Sequence, residues 1–485
     1  MSKLRQQIER INDENPGKRI SVIVQMVAGD DLRRHMIEAT EVAAKRRAVI
    51  TARDLLDEIG KKPSESRSGG TKRAGKRKGT HKPSTPNRKL DFGNRSLSSF
   101  MRSQWVRGTG TKTPPIAFNS FGTAVVDVTR DELAKLEEMK DVAAVFPNRL
   151  VKRPPVSKAT SLPRAVLDHP GYTSGLARTG AMASWGAYTA LGQGTKVAIL
   201  DTGVDPKHPD LEGKIAGFAE FDENGNTVID NARRAYDSDE HGTHCAAIVV
   251  GGNASGRWIG VAPEASIYAG LVLKNGEGTD AQVLAGIEWA ISKKVDVISM
   301  SLGGLSMTAD VFDTYTLAFI RANEAGIPVV CAVGNEGSQT TGSPGNDIFA
   351  FTVGATDVED RAAGFSGGRT QVIEASRYLD PEALPLVYSK PDVTAPGVDI
   401  FSAVPKRKYE AWNGTSMATP HVAGAFALLF SAKPPMLASL KGTDRVNAAQ
   451  TLLAGTVKEL GEAGQNHRFG YGRIDILRAL GFAFQ

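Results

Sequence analysis

Between Gly192 and Val353 the chain repeats one texture, in which short, continuously apolar runs are separated by stretches with helical spacing of apolar positions. The runs are Lys196 to Leu200, Ile267 to Leu273, Val295 to Ser299, Pro328 to Val333 and Phe349 to Val353. A strand that is apolar on both faces is covered on both faces. Helical patterns at Asp280 to Lys293 and Thr308 to Ala325 lie between such strands. The alternation predicts an α/β fold: a doubly wound, mostly parallel sheet with helices on both sides. In such a sheet the working edge lies beyond the C-terminal strand ends.

The first part of the chain reads differently. Arg19 to Val27 is β-branched and apolar, as a strand requires, and Asp30 to Ile59 carries apolar residues at helical spacing among charges. A strand at Gly122 to Thr129 leads into a short helix with Thr129 and Glu132 at capping-box spacing and Leu133, Leu136 and Met139 on its apolar face. Another strand follows at Val142 to Phe146. Strand, helix, strand, helix, strand predicts a small α+β domain of ferredoxin-like type. Residues 60–95 interrupt it with Lys, Arg, Gly, Ser, Thr and Pro and almost no large apolar side chains, so this insertion is expected to be a mobile basic loop. The domains are thus residues 1–152, a proline- and glycine-bearing linker and processing region at 153–180, and the α/β domain at 181–485.

Composition narrows the class. The chain has 485 residues, enough for more than one core, and its 51 glycines suit many tight turns. Two cysteines, Cys245 and Cys331, exclude a disulfide framework, and both sit in apolar runs where buried reduced thiols are expected. The charged first residues lack the apolar core of a secretory signal, and no run reaches the length of a membrane span. A cytoplasmic location without membrane contact is the expectation, with export by a route lacking an N-terminal signal left open. Net charge is +6. The basic insertion could tether nucleic acid or another polyanion, but no aromatic residues interleave its charges, so stacking on single strands is not supported.

Four polar signatures sit where elements of the predicted sheet begin or end: Asp201-Thr-Gly203, Asp239-Glu-His241-Gly-Thr-His-Cys245, Gly334-Asn335-Glu336-Gly337 and Gly414-Thr-Ser416. A serine at a helix start is often only an N-cap. Together the four supply what acyl transfer needs. Serine is a weak nucleophile at neutral pH, so a histidine must take its proton, and a buried carboxylate must hold the right imidazole tautomer. An amide donor near a helix start can stabilise the oxyanion. The assignment is Asp201 as orienting carboxylate, His241 as general base and acid, Ser416 as nucleophile and Asn335 as oxyanion donor. His244, three residues after His241, opens a metal-binding alternative, although the HExxH pattern and a third ligand are missing. His208 and His421 read as structural.

These motifs, in the order Asp, His, Ser, resemble those of the subtilisin-like serine peptidases, the subtilases. The likeness spans about Gly192 to Leu480 and includes Gly260-Val-Ala-Pro263, Lys390-Pro-Asp-Val-Thr-Ala-Pro-Gly397 and Tyr471-Gly-Arg-Ile-Asp475. It implies a serine endopeptidase working through an acyl-enzyme, with protein or peptide substrates and no cofactor for the chemistry. It also implies that the N-terminal domain, ending in Val145-Phe-Pro-Asn-Arg-Leu-Val151, is an inhibitory propeptide, making the chain a self-inhibited zymogen that processes itself. The basic insertion departs from the compact form of that domain. Gly276, Glu277 and Gly278, with Ser301, Leu302 and Gly303, resemble the segments that flank an extended substrate, and Glu336 the residue near the specificity pocket. Asp210 matches a family calcium ligand, so calcium is the candidate structural ion. The competing reading is a catalytically silent binding protein of the same fold whose basic loop engages nucleic acid.

Overall fold

The computed structural model describes residues 19–26, 36–37, 115–139, 142–159, 171–307 and 310–485. The predicted basic loop, nearly all of the predicted helical stretch at Asp30 to Ile59 and the middle of the linker lie outside these residues.

An eight-stranded sheet forms the frame, in the order Val393–Pro396, Phe351–Thr356, Val329–Ala332, Val297–Met300, Lys196–Asp201, Ser266–Leu271, Ile215–Phe221 and Thr227–Asp230. All neighbours are parallel except the last pair, which is antiparallel. All five predicted strands are present. Three strands were not predicted, because Ile215–Phe221 and Thr227–Asp230 alternate with glycine and polar residues and Val393–Pro396 is short. The strand order reverses between Lys196–Asp201 and Val297–Met300. Their C-terminal ends are where a site is expected.

Helices cover both faces. The helix Thr415–Ala432 is buried through nearly its whole length and packs on the sheet beside His241–Val250. The helix Asp280–Ser292 lies in a second apolar cluster on the other face. The predicted helix from Thr308 begins only at Thr316 and ends at Glu324, since Asp313 and Thr316 close a turn before it: the Asp313 N–H donates to Thr316 Oγ1 at 2.8 Å. Among the described residues no helix is long and apolar enough to cross a membrane.

The N-terminal region contributes a four-stranded antiparallel sheet, ordered Ile116–Phe118, Thr123–Val128, Ile20–Met26, Val142–Pro147. Ile116–Phe118 is a fourth strand beyond the three expected, too short to have been read from periodicity. Alternation along Ile20–Met26 explains its position. Val22, Val24 and Met26 pack with Leu133 and Leu136 of the helix Arg130–Glu137, while Ile23 joins the cluster containing Leu284 and Phe312. The Thr129–Glu132 capping box forms as predicted. Met139, expected on the apolar face, lies past the helix end and is 39% exposed.

Candidate active site

Asp201 ends the central strand Lys196–Asp201, and His241 opens the helix His241–Val250. Glycine brings them together: a Cβ on Gly242 would lie 2.1 Å from the carbonyl oxygen of Gly203, so only glycine lets the helix start close onto the turn after Asp201. His241 Nδ1 then donates to Asp201 Oδ1 at 2.8 Å and Oδ2 at 2.9 Å, with both side chains fully buried. Burial opposes charging of this imidazole. The Asp201 carboxylate and, after it, Cys245 together outweigh that and hold the His241 pKa well above its ordinary value. The Thr202 N–H donates to Asp201 Oδ1 at 2.7 Å and fixes the carboxylate in turn.

Ser416 is the second residue of its helix, and Gly414 occupies the cap position, so the serine is not the N-cap. Its Oγ and His241 Nε2 are both buried without a hydrogen-bond partner. Pro420 explains how this turn is held. Proline has no N–H to give the carbonyl four residues back, which is that of Ser416. That carbonyl instead accepts from Ser301 Oγ at 2.9 Å and Cys245 Sγ at 3.5 Å. Cys245 Sγ also lies 3.8 Å from His241 Nδ1. The turn carrying Ser416 is therefore tied both to the end of strand Val297–Met300 and to the histidine helix. Ser301, predicted among substrate contacts, holds Ser416 with its side chain.

Asn335 follows strand Val329–Ala332. Its Oδ1 accepts from the Thr415 N–H at 2.9 Å and Thr415 Oγ1 at 2.8 Å, which orients Nδ2. Nδ2 donates to the carbonyl of Pro155 at 2.9 Å. Glu336 turns back to accept from the Asn335 N–H at 2.9 Å and also lines a pocket with Pro154, Leu302, Gly303, Gly304, Ala332, Gly334 and Gly342. The remaining predicted contacts meet the chain's own residues 150–153. Glu277–Thr279 pairs antiparallel with Leu150–Lys152, the Gly303 N–H donates to the Lys152 carbonyl at 3.1 Å, and the Arg153 N–H donates to the Gly276 carbonyl at 3.0 Å. Beyond the pocket, Ser157–Lys158 pairs with strand Lys408–Asn413. The chain thus runs as an added strand across the site.

The metal alternatives do not fit. His244 Nε2 donates to the Glu410 carbonyl at 3.3 Å and its ring stacks on Trp412 at 4.2 Å, away from His241 Nδ1. Burial, then the neighbouring His241, push its pKa down to about 3. Calcium needs six or more oxygen ligands. Asp210, the expected ligand, instead accepts from the Ala254 N–H at 2.8 Å and Tyr409 OH at 2.7 Å, while the Lys214 ammonium donates to the Val250 carbonyl. A cation of the chain's own stands beside the one carboxylate, and among the described residues no second acidic group joins it in a metal cluster. His208 and His421 are structural, bonded to the carbonyls of Lys408 and Met417. Both cysteines are buried and free, as expected.

Sequence reasoning missed Asp237. Its carboxylate gathers Thr202 Oγ1, Thr243 Oγ1 and the N–H groups of Thr243 and Asp239, at 2.6–3.0 Å, and so clamps the Asp201 turn to the His241 helix. The one signal was an acidic run before His241, which also reads as a solvated loop.

Comparison with known proteins extends this picture. The model of the subtilase family matches residues 192–472. The chain is 36% identical over 293 residues to subtilisin E of Bacillus subtilis (strain 168), covering 59% of this chain and 66% of that protein, just short of two thirds of its length. It is 35% identical over 353 residues to the serine protease AprX of the same strain, covering 66% and 72% respectively. An intracellular serine protease of Paenibacillus polymyxa is 39% identical over 246 residues, covering 49% of this chain and 67% of that one.

Proposed function

Because this chain belongs to the subtilase family, we propose that it is a serine endopeptidase made as a self-inhibited zymogen. The observation that carries this is the Asn335 amide, which holds a peptide carbonyl beside the helix turn of Ser416. In the reaction His241 Nε2 takes the Ser416 hydroxyl proton as Oγ bonds to the substrate carbonyl carbon. The carbonyl π electrons move to oxygen, where Asn335 Nδ2 and the N–H at the helix start stabilise the charge. As the oxyanion collapses the peptide C–N bond breaks, and His241 returns the proton to the leaving amine. Water, deprotonated by His241, then releases the acyl group and restores Ser416. Asp201 holds the imidazole and balances its charge throughout.

The zymogen reading is supported by the strand in the cleft. Pro154 is the strand residue that borders the pocket, yet Asn335 holds the carbonyl of Pro155, one peptide further on. The bond after the pocket residue is therefore not the one polarised, and neither proline has an N–H to pair as a substrate would. The N-terminal domain, residues 1–152, acts as intramolecular inhibitor, with removal by a cut within 153–180. Two free cysteines and the likeness to a relative named as intracellular support a cytoplasmic place.

Intact-mass measurement over time, beside casein hydrolysis, tests both parts. Wild type should lose its N-terminal mass and then cleave casein, and Ser416→Ala should do neither. Casein left intact by wild type overturns the peptidase reading.

A further inference from the structure

Main-chain pairing with an added strand binds any peptide, so selectivity must come from what the side chains meet. The strand at residues 150–158 carries three basic side chains, and each meets a carboxylate of the cleft. Lys152 Nζ lies 2.5 Å from Glu277 Oε1, and Arg153 Nε lies 3.4 Å from Asp239 Oδ2. On the far side of the prolines, Lys158 Nζ lies 2.5 Å from Glu240 Oε2, 3.1 Å from Glu410 Oε2 and 4.7 Å from the centre of the Trp412 ring.

Two of these carboxylates are held without help from the strand. Asp239 Oδ1 accepts from the Glu240 N–H at 2.7 Å, and Glu410 Oε2 accepts from Trp412 Nε1 at 2.7 Å. They would remain aimed into the cleft after the strand leaves. Removal of residues 152–158 would then expose four carboxylates that have lost three cations. A field confined to the cleft acts on the peptide that enters it.

We propose that the released cleft selects basic peptides. Asp239 reads the residue immediately before the pocket residue, Glu277 reads the one before that, and Glu240 with Glu410 reads a basic residue on the leaving side. This rests on the peptidase reading above. The pairs are partly exposed, so each contributes about a 2- to 3-fold preference and the three together roughly 10- to 30-fold in kcat/KM, falling as salt rises.

The test uses full-length protein incubated until its mass stops changing, with two internally quenched peptides. One copies residues 150–158 with both prolines replaced by alanine; the other also replaces Lys152, Arg153 and Lys158 by alanine. The basic peptide should be cleaved roughly 10- to 30-fold better at low salt, with the difference in KM and most of it lost near 1 M salt. Asp239→Asn, which keeps the bond to the Glu240 N–H, should lower the ratio about 2- to 3-fold. Glu277→Lys, on an exposed side chain, should reverse the preference at its position toward a glutamate-bearing peptide. If neither peptide is cut, the peptidase reading fails. If the neutral peptide is cut as well as the basic one, or Glu277→Lys leaves the ratio unchanged, the selectivity proposal is overturned.

Discussion

The edge of the parallel sheet and the strand lying across it are held by different kinds of force. Asp201, His241 and Ser416 are fully buried. Asp237, Thr202, Ser301, Thr415 and Cys245 fix the residues around them through short bonds. Residues 150–158 are held by a few main-chain pairs and by side-chain ion pairs that water reaches. Exposed ion pairs are individually weak and screened by salt. Buried bonded groups cannot be given up one at a time without leaving partners unsatisfied. The difference suits the proposed zymogen, whose site stays assembled when its cover is removed.

Asn335 belongs to both regions, so it offers the strongest way to break the comparison. Its Oδ1 belongs to the fixed network and its Nδ2 to the cover. In the released enzyme Asn335→Ala should lower kcat about 10²- to 10³-fold with little change in KM, the size of loss known for the oxyanion asparagine of subtilisin. A fall confined to KM would place Asn335 with the cover alone.

The fixed region should also show itself in acid. Burial pushes His244 down to about 3 and His421 to about 4, whereas an unfolded histidine titrates near 6.5. Between those values the unfolded chain binds more protons, so stability falls as pH drops, by about 2 kcal/mol for each histidine at pH 5. His241 works the other way, because its folded pKa is raised and its contribution is lost as pH rises through that value. Urea midpoints at pH 7.5 and 5 should therefore differ, and His244→Gln should remove about half of the part due to the two histidines. Equal pH dependence in the variant would mean that His244 is not held neutral.

How much of this was visible in the chain follows the same division. The five apolar runs declared the sheet because burial on both faces leaves no polar alternation to misread. Asp201, His241, Asn335 and Ser416 stood at element ends, where a sheet of this type gathers its site. Bonds made by side chains far apart in sequence were not legible: Ser301 on the Ser416 carbonyl is freed by Pro420, and nothing local links those three positions. Likewise nothing along the chain set Lys152, Arg153 and Lys158 apart until the strand was seen between carboxylates.

The cover is anchored at several points, among them Gln25 on the Thr314 carbonyl, Asn148 on the Ala281 N–H and Arg149 on Asp280, and loosening the last sharpens the contrast. Arg149 Nε donates to Asp280 Oδ2 at 2.8 Å, Tyr315 OH donates to its Oδ1, and this carboxylate starts the helix Asp280–Ser292, where negative charge is favoured. Burial raises the Asp280 pKa against the opposing pull of Arg149. Arg149→Ala leaves the carboxylate with Tyr315 OH and the main-chain N–H of residue 149. A loss of about 1–2 kcal/mol in docking is expected for a charge-assisted pair on a partly exposed arginine. Freshly purified full-length Arg149→Ala should then hydrolyse casein about 10-fold faster at first than wild type. Equal initial rates would show that the strand, and not the domain behind it, limits access.

The smallest effect is expected from chelation, and it concerns the fixed region again. Each Asp210 oxygen accepts one bond, from the Ala254 N–H and from Tyr409 OH, and Lys214 supplies a positive charge nearby. Burial lowers the Lys214 pKa, and Asp210 and Glu264 oppose that shift. If this ammonium does what calcium does elsewhere, EDTA should leave the melting temperature unchanged, because no bound ion contributes to the folded state. Lys214→Met keeps much of the apolar stem and removes the charge. It should cost about 1–3 kcal/mol by leaving the Val250 carbonyl without its donor and Asp210 without its cation. Added calcium should not restore that loss, since one carboxylate already engaged by two donors falls short of a calcium shell. A fall in melting temperature with EDTA, or rescue of Lys214→Met by calcium, would return Asp210 to the role of ligand.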